Sequence, residues 1–312
     1  MVDVEKGLRR ITFPLPLGID HVHCYLVRLS TGGWLLVDTG LGSRDPEAQW
    51  QPVLDALDAP VERILVTHMH PDHVGGARDV AELTGAPVLQ GREDFAQCVA
   101  VWGPDRDTVG FARHWREAGM PPEALDDVVT STSELVAVVH YAPAPELLDA
   151  GADVDGWSVE VLRGHADGHI VLHRDGVLIA GDTILERISP VVGLHPNSRP
   201  DPLGDYLETL ARIEELAPRV AYSGHGPSVD DPAARARALR EHHRVRIDRT
   251  AAALAGGSTT AWNVSLELFP PDLPRGQRRF AVAETLAHLE RLAFQGRAVR
   301  DGDGRYALAA SV

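Results

Sequence analysis

The stretch Thr67-His68-Met69-His70-Pro71-Asp72-His73 places three imidazoles and one carboxylate in six consecutive residues. It directly follows the apolar run Ile64-Leu65-Val66, which is typical of a buried strand. In an extended segment alternate side chains point to the same side, so the first two histidines would share a face. The residues after Pro71 can point at a neighbouring position. The pattern predicts a metal site at a strand end, whereas a bland interpretation is that Asp72 only caps the next helix.

Three further segments have the same form, a strand end followed by a donor-bearing turn. They are Gly164-His165-Ala166-Asp167-Gly168-His169, Ala180-Gly181-Asp182-Thr183 and Ser223-Gly224-His225-Gly226-Pro227. Each donor has a glycine beside it, which lets the backbone approach a ligand site closely. Each segment alone is a weak signal. Together with the first stretch they supply five imidazoles and two carboxylates from four loops.

Composition limits the class of protein. The chain has 312 residues, of which 44% are hydrophobic and 24% charged, as expected for a soluble protein with a full core and two domains. Its net charge of −15 argues against general binding of nucleic acid or anionic membranes. No apolar run approaches the roughly 20 residues of a membrane span, and the first ten residues carry no signal-peptide core. We therefore expect a cytoplasmic protein.

The two cysteines, Cys24 and Cys98, give no disulfide framework, and neither has the setting of a metal ligand. Strand-like and helix-like segments alternate through most of the chain, which predicts an α/β fold. Strands are expected at 10–15, 23–29, 34–38, 61–67, 87–89, 157–162, 170–173, 177–180 and 220–223, and helices at 46–57, 74–84 and 203–216. Residues 92–150 lack clear strands and predict a helical cap near the metal turn. Its aromatic side chains either line a pocket or only pack the cap onto the body.

With these four donor-bearing loops, the sequence resembles the metallo-β-lactamase superfamily of hydrolases. That family's signature is H-x-H-x-D-H, followed by a distant His, a bridging Asp and a last His. The resemblance covers nearly the whole chain and implies a four-layered αββα sandwich. It implies a metallo-β-lactamase-like catalytic domain over 1–231, with the cap insertion at 92–150. Residues 232–312 resemble a small, mostly helical, winged-helix-like domain, with helices expected at 233–255, 258–269 and 279–296.

The resemblance also implies a ligand set for two metal ions. The first ion would be held by His68, His70 and His165, the second by Asp72, His73 and His225. Asp182 would bridge the two, and Asp72 and Asp182 would be the catalytic carboxylates. A set of only nitrogen and oxygen donors suits two zinc ions and also accepts iron or manganese.

This ligand set implies hydrolysis by a metal-bridging hydroxide. Two divalent cations with two carboxylates and one hydroxide leave a charge of about +1, which favours developing negative charge. Metal coordination lowers the pKa of water to about 7, so a nucleophile for a carbonyl carbon or a phosphorus atom is present at neutral pH.

Details of the motifs point to one part of the family. Asp182 and the missing export signal distinguish the chain from true β-lactamases, and the GHADGH turn resembles the GHTPGH turn of glyoxalase II-like proteins. The Lys and Arg cluster that would seat glutathione is missing. The leading hypothesis is therefore hydrolysis of a small acyl thioester, ester or lactone beneath the cap.

Three further histidines receive structural interpretations. His169 is expected to brace its loop by hydrogen bonding. His23 stands where related proteins often have Asn, and a plain strand residue is favoured over an extra polar group at the site. His195 is interpreted as a solvated loop residue, with a leaving-group acid as the alternative.

Several alternatives stay open. Residues 232–312 hold 13 Arg against 8 acidic residues, a net of +5 in a chain of −15. Arg275, Arg278 and Arg279 stand where winged helices often meet nucleic acid, so an RNA or phosphodiester hydrolase is the first alternative. The others are a mononuclear-iron sulfur dioxygenase and a metal-dependent winged-helix regulator without enzymatic activity. Such domains also pack or dimerise, so a homodimer is an open expectation.

Overall fold

The computed structural model describes residues 1–16, 18–270, 272–273 and 275–310, apart from the side chain of Arg275. Its larger sheet has seven strands that lie in chain order. The first four pair antiparallel and the last four parallel. The strands are β1 (Val2–Glu5), β2 (Leu8–Pro14), β3 (His21–Arg28), β4 (Trp34–Val37), β5 (Val61–Val66), β6 (Val88–Gly91) and β7 (Glu146–Leu148).

The second sheet has five strands in the order β12-β11-β10-β9-β8. Its strands are β8 (Asp153–Val154), β9 (Trp157–Val161), β10 (Ile170–Arg174), β11 (Val177–Gly181) and β12 (Val220–Ser223). The β10–β11 hairpin turns at Asp175-Gly176, both with positive φ, as the sequence predicts. The last two strands of this sheet in chain order run parallel, so β11 and β12 end at the same edge.

Helices cover the outer faces of both sheets. They are α1 (Pro46–Asp55), α2 (Pro71–Val74), α3 (Ala77–Thr84), α4 (Arg92–Trp102), α5 (Thr108–Glu117), α6 (Pro122–Val136), α7 (Pro202–Leu216), α8 (Pro232–Ala253), α9 (Ala261–Leu268) and α10 (Arg275–Phe294). Three of them begin with an Asp-Pro pair in which the aspartate accepts a backbone N–H of the first turn and proline follows at the first helical position.

Three hydrophobic clusters define the layers. One lies between the sheets, where Val37 and Leu65 of the first sheet meet Ile170 and Ile179 of the second. Another packs α1, α3 and α4 on the outer face of the first sheet. The third packs the remaining long helices on the outer face of the second sheet. The predicted four-layered αββα sandwich is confirmed.

The insertion departs from its prediction in one respect. Residues 92–150 form the expected helices α4, α5 and α6, but they also contain the strand β7, which pairs in parallel with β6. The expectation of no strand there is wrong. Trp115 and Leu125 of the insertion share a core with Val282 and Leu286 of α10, so the insertion packs directly on the C-terminal helices.

The C-terminal segment forms the three predicted helices, although α10 begins four residues earlier than expected. An antiparallel hairpin follows, formed by β13 (Ala298–Arg300) and β14 (Tyr306–Leu308). Helices followed by one hairpin do not by themselves confirm a winged helix, and the domain boundary at 231 stays a prediction. Among the described residues, no helix combines the length and the apolarity needed to cross a bilayer.

Candidate metal centre

The seven predicted ligands come together where strands of both sheets end. β5 leads directly into the turn that carries the first four, and β11 and β12 end beside each other at Asp182 and His225. His165 lies in the loop between β9 and β10. Three groups of donors have ligand atoms within 4.8 Å of one another: His68, His70 and His165; His68, His73 and Asp182; and Asp72, His73 and His225.

The first donor group consists of three imidazoles. His70 Nδ1 lies 3.0 Å from His68 Nε2 and 2.9 Å from His165 Nε2. A tetrahedral zinc ion with Zn–N bonds of about 2.0–2.1 Å holds its nitrogens about 3.3 Å apart. The three nitrogens are thus spaced almost as such an ion requires.

The second donor group combines two imidazoles with a carboxylate. Asp72 Oδ2 lies 3.2 Å from His225 Nε2 and 3.9 Å from His73 Nε2. Asp182 lies between the two groups, because its Oδ2 is 3.1 Å from His225 Nε2 and 3.6 Å from His165 Nε2. Its Oδ1 lies 3.4 Å from His73 Nε2.

Two of these donor atoms have no hydrogen-bond partner in the described residues. His73 Nε2 and Asp182 Oδ1 are both buried and do not reach hydrogen-bond geometry with each other. A buried polar atom without a partner is costly, so its persistence calls for a ligand. The unpartnered atoms, the mutual spacing and the nitrogen and oxygen donors all fit divalent metal ions.

Hydrogen bonds orient the ligating imidazoles from behind. His73 Nδ1 lies 2.8 Å from Asp38 Oδ2, His165 Nδ1 lies 2.8 Å from the Val191 carbonyl oxygen, and His225 Nδ1 lies 2.6 Å from the His21 carbonyl oxygen. Because these oxygens are acceptors, each Nδ1 donates a proton to its oxygen, and each Nε2 faces the centre, where a metal ion would take the place of any second proton.

Asp38 is a functional residue that the sequence analysis missed. It accepts hydrogen bonds from the backbone N–H of Thr67 at 2.7 Å and from the Thr67 hydroxyl at 2.8 Å, besides that of His73. Thr67 Oγ1 in turn lies 3.0 Å from His68 Nδ1. The available signal was an aspartate at the end of β4 followed by Thr39-Gly40, the same form as the other donor turns.

The pKa shifts differ between two parts of the site. Burial, together with neighbouring histidines, lowers the pKa of His68 and His70 well below the usual range. Burial opposes protonation of His73 as well, but the carboxylates of Asp182, Asp38 and Asp72 raise its pKa well above that range. The carboxylates thus attract positive charge to this side of the site, which metal ions would supply.

Glycine is required where β12 ends. A side chain at Gly224 would collide with Asp182 Oδ1 and would place its Cβ 2.6 Å from His73 Cε1. The backbone of Gly224 therefore forms the floor between two of the donors.

Two further histidines brace the loops. His169 stacks on His68 at 4.5 Å, and its Nε2 accepts the backbone N–H of Asp182 at 3.2 Å, so it holds the loop as predicted. His23 Nε2 lies 2.9 Å from the Gly226 carbonyl oxygen, and its Nδ1 lies 3.0 Å from the Thr12 hydroxyl. His23 is therefore a buried anchor of the His225 loop rather than a plain strand residue.

The interpretation of His195 as a solvated residue is wrong. Its ring packs 5.9 Å from that of Trp115, and burial, followed by the charges of His114, Arg279 and His165, lowers its pKa to about 3. A ring with so low a pKa is neutral at physiological pH. It therefore carries no proton that it can donate readily to a leaving group.

The predicted nucleic-acid arginines are not a solvated row. Arg278 is buried, and its guanidinium donates to the carbonyl oxygens of Ser265 and Pro270. Arg279 is partly buried beside Thr132 of α6. The side chain of Arg275 lies outside the described residues. Contact with nucleic acid stays a prediction, without support from Arg278.

Comparison with known proteins agrees with this fold and site. Residues 17–225 match the metallo-beta-lactamase superfamily, and residues 247–308 match the metallo-beta-lactamase-like, C-terminal domain. A crystal structure of the metallo-beta-lactamase family protein TTHA1429 from Thermus thermophilus is 37% identical, with a TM-score of 0.87, over 98% of this chain and 100% of that one.

Two relatives carry descriptive names. The probable metallo-hydrolase YqjP of Bacillus subtilis is 26% identical over 90% of both chains. A hydroxyacylglutathione hydrolase of Methylobacillus flagellatus is 27% identical over 71% of this chain and 72% of its own. The chain belongs to the metallo-beta-lactamase superfamily. It is a metallo-hydrolase of that superfamily with a His/Asp cluster capable of binding metal.

Proposed function

We propose that the protein is a binuclear metal-dependent hydrolase of a small acyl compound, a thioester, an ester or a lactone. The observation that carries this proposal is the position of Asp182. Its oxygens lie within 3.6 Å of His165 of the first donor group and within 3.4 Å of His73 and His225 of the second. One carboxylate shared by two donor groups suits two cations held side by side.

In this proposal His68, His70 and His165 hold the first ion, and Asp72, His73 and His225 the second, with Asp182 between them. When bound, divalent ions polarise a carbonyl oxygen and supply a nucleophilic water at neutral pH. We propose zinc, since only nitrogen and oxygen donors are present, and iron or manganese remain outcomes of the test.

Hydrogen bonds within the chain hold the donor side chains in position for metal binding. Asp38 holds His73 directly and His68 through the Thr67 hydroxyl, so Nδ1 of each ring is held by a hydrogen bond and Nε2 of each ring faces the centre. His169 fixes the backbone of Asp182. The two thiols are not alternative nucleophiles, because Cys24 and Cys98 are buried and burial raises the pKa of both.

The acyl class is supported by the hydroxyacylglutathione hydrolase of Methylobacillus flagellatus, whose name describes hydrolysis of an acyl compound. A phosphodiester substrate loses support because Arg278, expected to face a polyanion, donates to the protein's own backbone.

The test uses metal-free protein reloaded separately with zinc, manganese or iron. We expect turnover of short acyl thioesters or lactones, two metal ions per chain by elemental analysis, and a fall in kcat of at least about 100-fold in D182N. D126N, which changes an exposed carboxylate on α6, should keep full activity.

Three outcomes would contradict the proposal. One is cleavage of RNA or phosphodiesters with no turnover of any acyl compound. Another is one iron per chain with oxygen consumption on a persulfide, which indicates the dioxygenase. The third is full activity in D182N.

A further inference from the structure

Arg279 is a partly buried cation that has no counter-ion among the described residues. Its Nη1 lies 3.4 Å from Thr132 Oγ1, and its Nε is buried with no hydrogen-bond partner. Among the described residues no carboxylate lies within ion-pair distance of Arg279, and its Nη2 makes no hydrogen bond. The guanidinium carbon lies 4.6 Å from the ring centroid of Phe280.

The free edge of this guanidinium is the one that binds oxyanions. The N–H groups of Nε and Nη2 point the same way and form the bidentate fork that binds a carboxylate or a phosphate. Since burying a charge without a partner is costly, an empty fork in a folded protein needs an explanation.

Other arginines of the same region have an acceptor for the guanidinium in the protein. Arg278 donates to two backbone carbonyl oxygens, and Arg291 pairs with Asp201 at 2.6 Å although its Nε is buried without a partner. Arg246 leaves one nitrogen unpartnered, but its charge lowers the pKa of Glu284, so it has a carboxylate in its surroundings. Burial is the one influence on the pKa of Arg279, which it lowers.

One loop connects the helix face that carries Arg279 with a candidate metal ligand. The Val191 carbonyl oxygen lies 2.8 Å from Nδ1 of the ligand His165, and the Leu194 N–H donates to the Ala283 carbonyl oxygen at 3.0 Å. Ala283 follows Arg279 by one helical turn, so both occupy the same face of α10. The loop from 191 to 195 therefore joins a metal ligand to the face that carries Arg279.

His195 lies near both Arg279 and His165. Both Arg279 and His165 lie close enough to lower the pKa of its ring. A second donor nearby also lacks an acceptor, because Nε1 of Trp115, the ring beside His195, is buried without a partner. Two buried N–H groups near His195 thus have no oxygen acceptor within the part of the chain that the structure describes.

We propose that Arg279, with Thr132 beside it, binds an oxyanion of the substrate, a carboxylate or phosphate group remote from the acyl bond that is cleaved. The chain as a whole has a net charge of −15, which repels an anionic substrate. Such a substrate therefore needs a local cation at its binding site. The inference rests on the proposed function for the identity of the bond cleaved, but the anion site can be tested without catalysis.

The binding experiment uses metal-free, full-length protein and two probes, inorganic phosphate and glutarate. Calorimetry should show that R279M loses at least about tenfold in affinity for the better probe, and R279K, which keeps the charge but not the fork, should lie between R279M and the native protein. R249M, which removes an exposed arginine of α8, should bind as the native protein does. The tighter probe identifies the group as phosphate or carboxylate.

Equal affinity in the native protein and R279M overturns the inference, as does failure of the native protein to bind either probe. Circular dichroism and the melting temperature confirm that each variant is folded. If R279M does not fold, R279K decides: native affinity in R279K overturns the inference, and weakened affinity with an unchanged melting temperature supports it.

The activity experiment separates this inference from the proposed function. With metal-loaded protein, R279M should raise KM at least about tenfold for an acyl ester bearing a terminal carboxylate and leave KM unchanged for its neutral methyl ester. An equal change for both esters overturns the inference. If the native protein hydrolyses neither ester nor any other acyl compound, the proposed function fails, and the probe affinities still decide the role of Arg279.

Discussion

At the scale of single residues, Asp38 controls more of the site than its position suggests. It has a positive φ of 62°, which aspartate tolerates better than most residues, and this turns the carboxylate under the metal turn. From there it holds the backbone and hydroxyl of Thr67 and the ring of His73 at 2.7–2.8 Å. One carboxylate therefore fixes the start of the ligand turn and its last histidine.

Replacing Asp38 by Asn should weaken metal binding. An amide cannot accept all three hydrogen bonds, so His73 loses its fixed tautomer, and loss of such a partner typically lowers metal affinity about 10–100-fold. Competition with a chelating dye measures this affinity. D126N is the matched control at an exposed carboxylate, and unchanged affinity in D38N would show that Asp38 does not orient the ligands.

A second prediction at this scale concerns Gly224. In G224A the new methyl group overlaps Asp182 and His73, so one of these donors must move. We expect at least a tenfold loss of metal affinity with a smaller effect on folding, measured by metal titration and by thermal melting. G276A in the exposed part of α10, where a Cβ meets nothing within 4 Å, should behave as the native protein. Native metal affinity in G224A would contradict the geometry.

The seven ligands were predictable because each stands at a strand end beside a turn residue, which is local information. Asp38 has the same local form but supplies a hydrogen bond instead of a ligand. Its role depends on the parallel pairing of β4 with β5, where Val37 lies opposite Leu65. Pairing between distant segments is not contained in any short pattern, so the sequence alone could not assign it.

At the scale of elements, the contact between α8 and α10 buries three titratable groups. His243 Nδ1 lies 3.3 Å from His288 Nε2, and burial, with their neighbours, lowers their pKa values to about 2 and about 4. Burial raises the pKa of Glu284 to about 7 against the influence of Arg246. The two kinds of group therefore give this helix pair opposite pH dependences.

The sign for Glu284 follows from proton binding. The folded state keeps a proton up to about pH 7 that the unfolded chain releases near 4.5, so the stabilising difference is present below pH 4.5 and is lost as pH rises to 7. E284Q should thus gain about 1–3 kcal/mol over the native protein at pH 8 and nothing at pH 4. Urea unfolding at both values measures this, with exposed E267Q of α9 as control. A pH-independent difference would rule out titration of Glu284.

For the two histidines the sign is reversed. Their lowered pKa values mean that the unfolded chain takes up protons near pH 6.5 while the folded protein does not, so stability falls as the pH decreases below that value.

Long, strongly patterned elements were predicted closely, as the limits of α7 and α8 show. The failures are short. β7 has three residues between proline-rich segments, and it is a strand only because β6 offers it a parallel edge. β1 carries charged residues, and it is a strand because β2 folds back and pairs with it. Three or four residues cannot reveal a period of two.

At the scale of the whole molecule, the candidate ligands are divided between the two halves of the sandwich. The turn after β5 of the first sheet supplies four, and loops of the second sheet supply His165, Asp182 and His225. Metal ions held by both sets would connect the halves at the edge where the sheets meet.

Removing metal should therefore lower global stability. A ligand present at about 1,000 times its dissociation constant stabilises the folded state by about 4 kcal/mol, so the chelated protein should melt several degrees below the zinc-loaded protein. Calorimetric melting with and without a chelator measures the difference. It should shrink strongly in D182N and persist in D126N. An equal difference in D182N would mean that the metal stabilises the protein elsewhere.

The shared packing of the insertion and the C-terminal helices also has a structural consequence for truncation. Since Trp115 and Leu125 share one core with Val282 and Leu286, deleting residues 232–312 would expose the insertion as well. Substitutions on α10 are therefore cleaner probes of the C-terminal segment than its removal.

The division of the ligands between the halves also sets an order of events during synthesis. The ribosome releases His68, His70 and His73 long before His165, Asp182 and His225. A growing chain therefore first exposes three histidines without the second set of donors. Loop closure across the whole sandwich must come first, and this slows assembly of distant contacts. We therefore expect tight metal uptake only after the chain through His225 has folded.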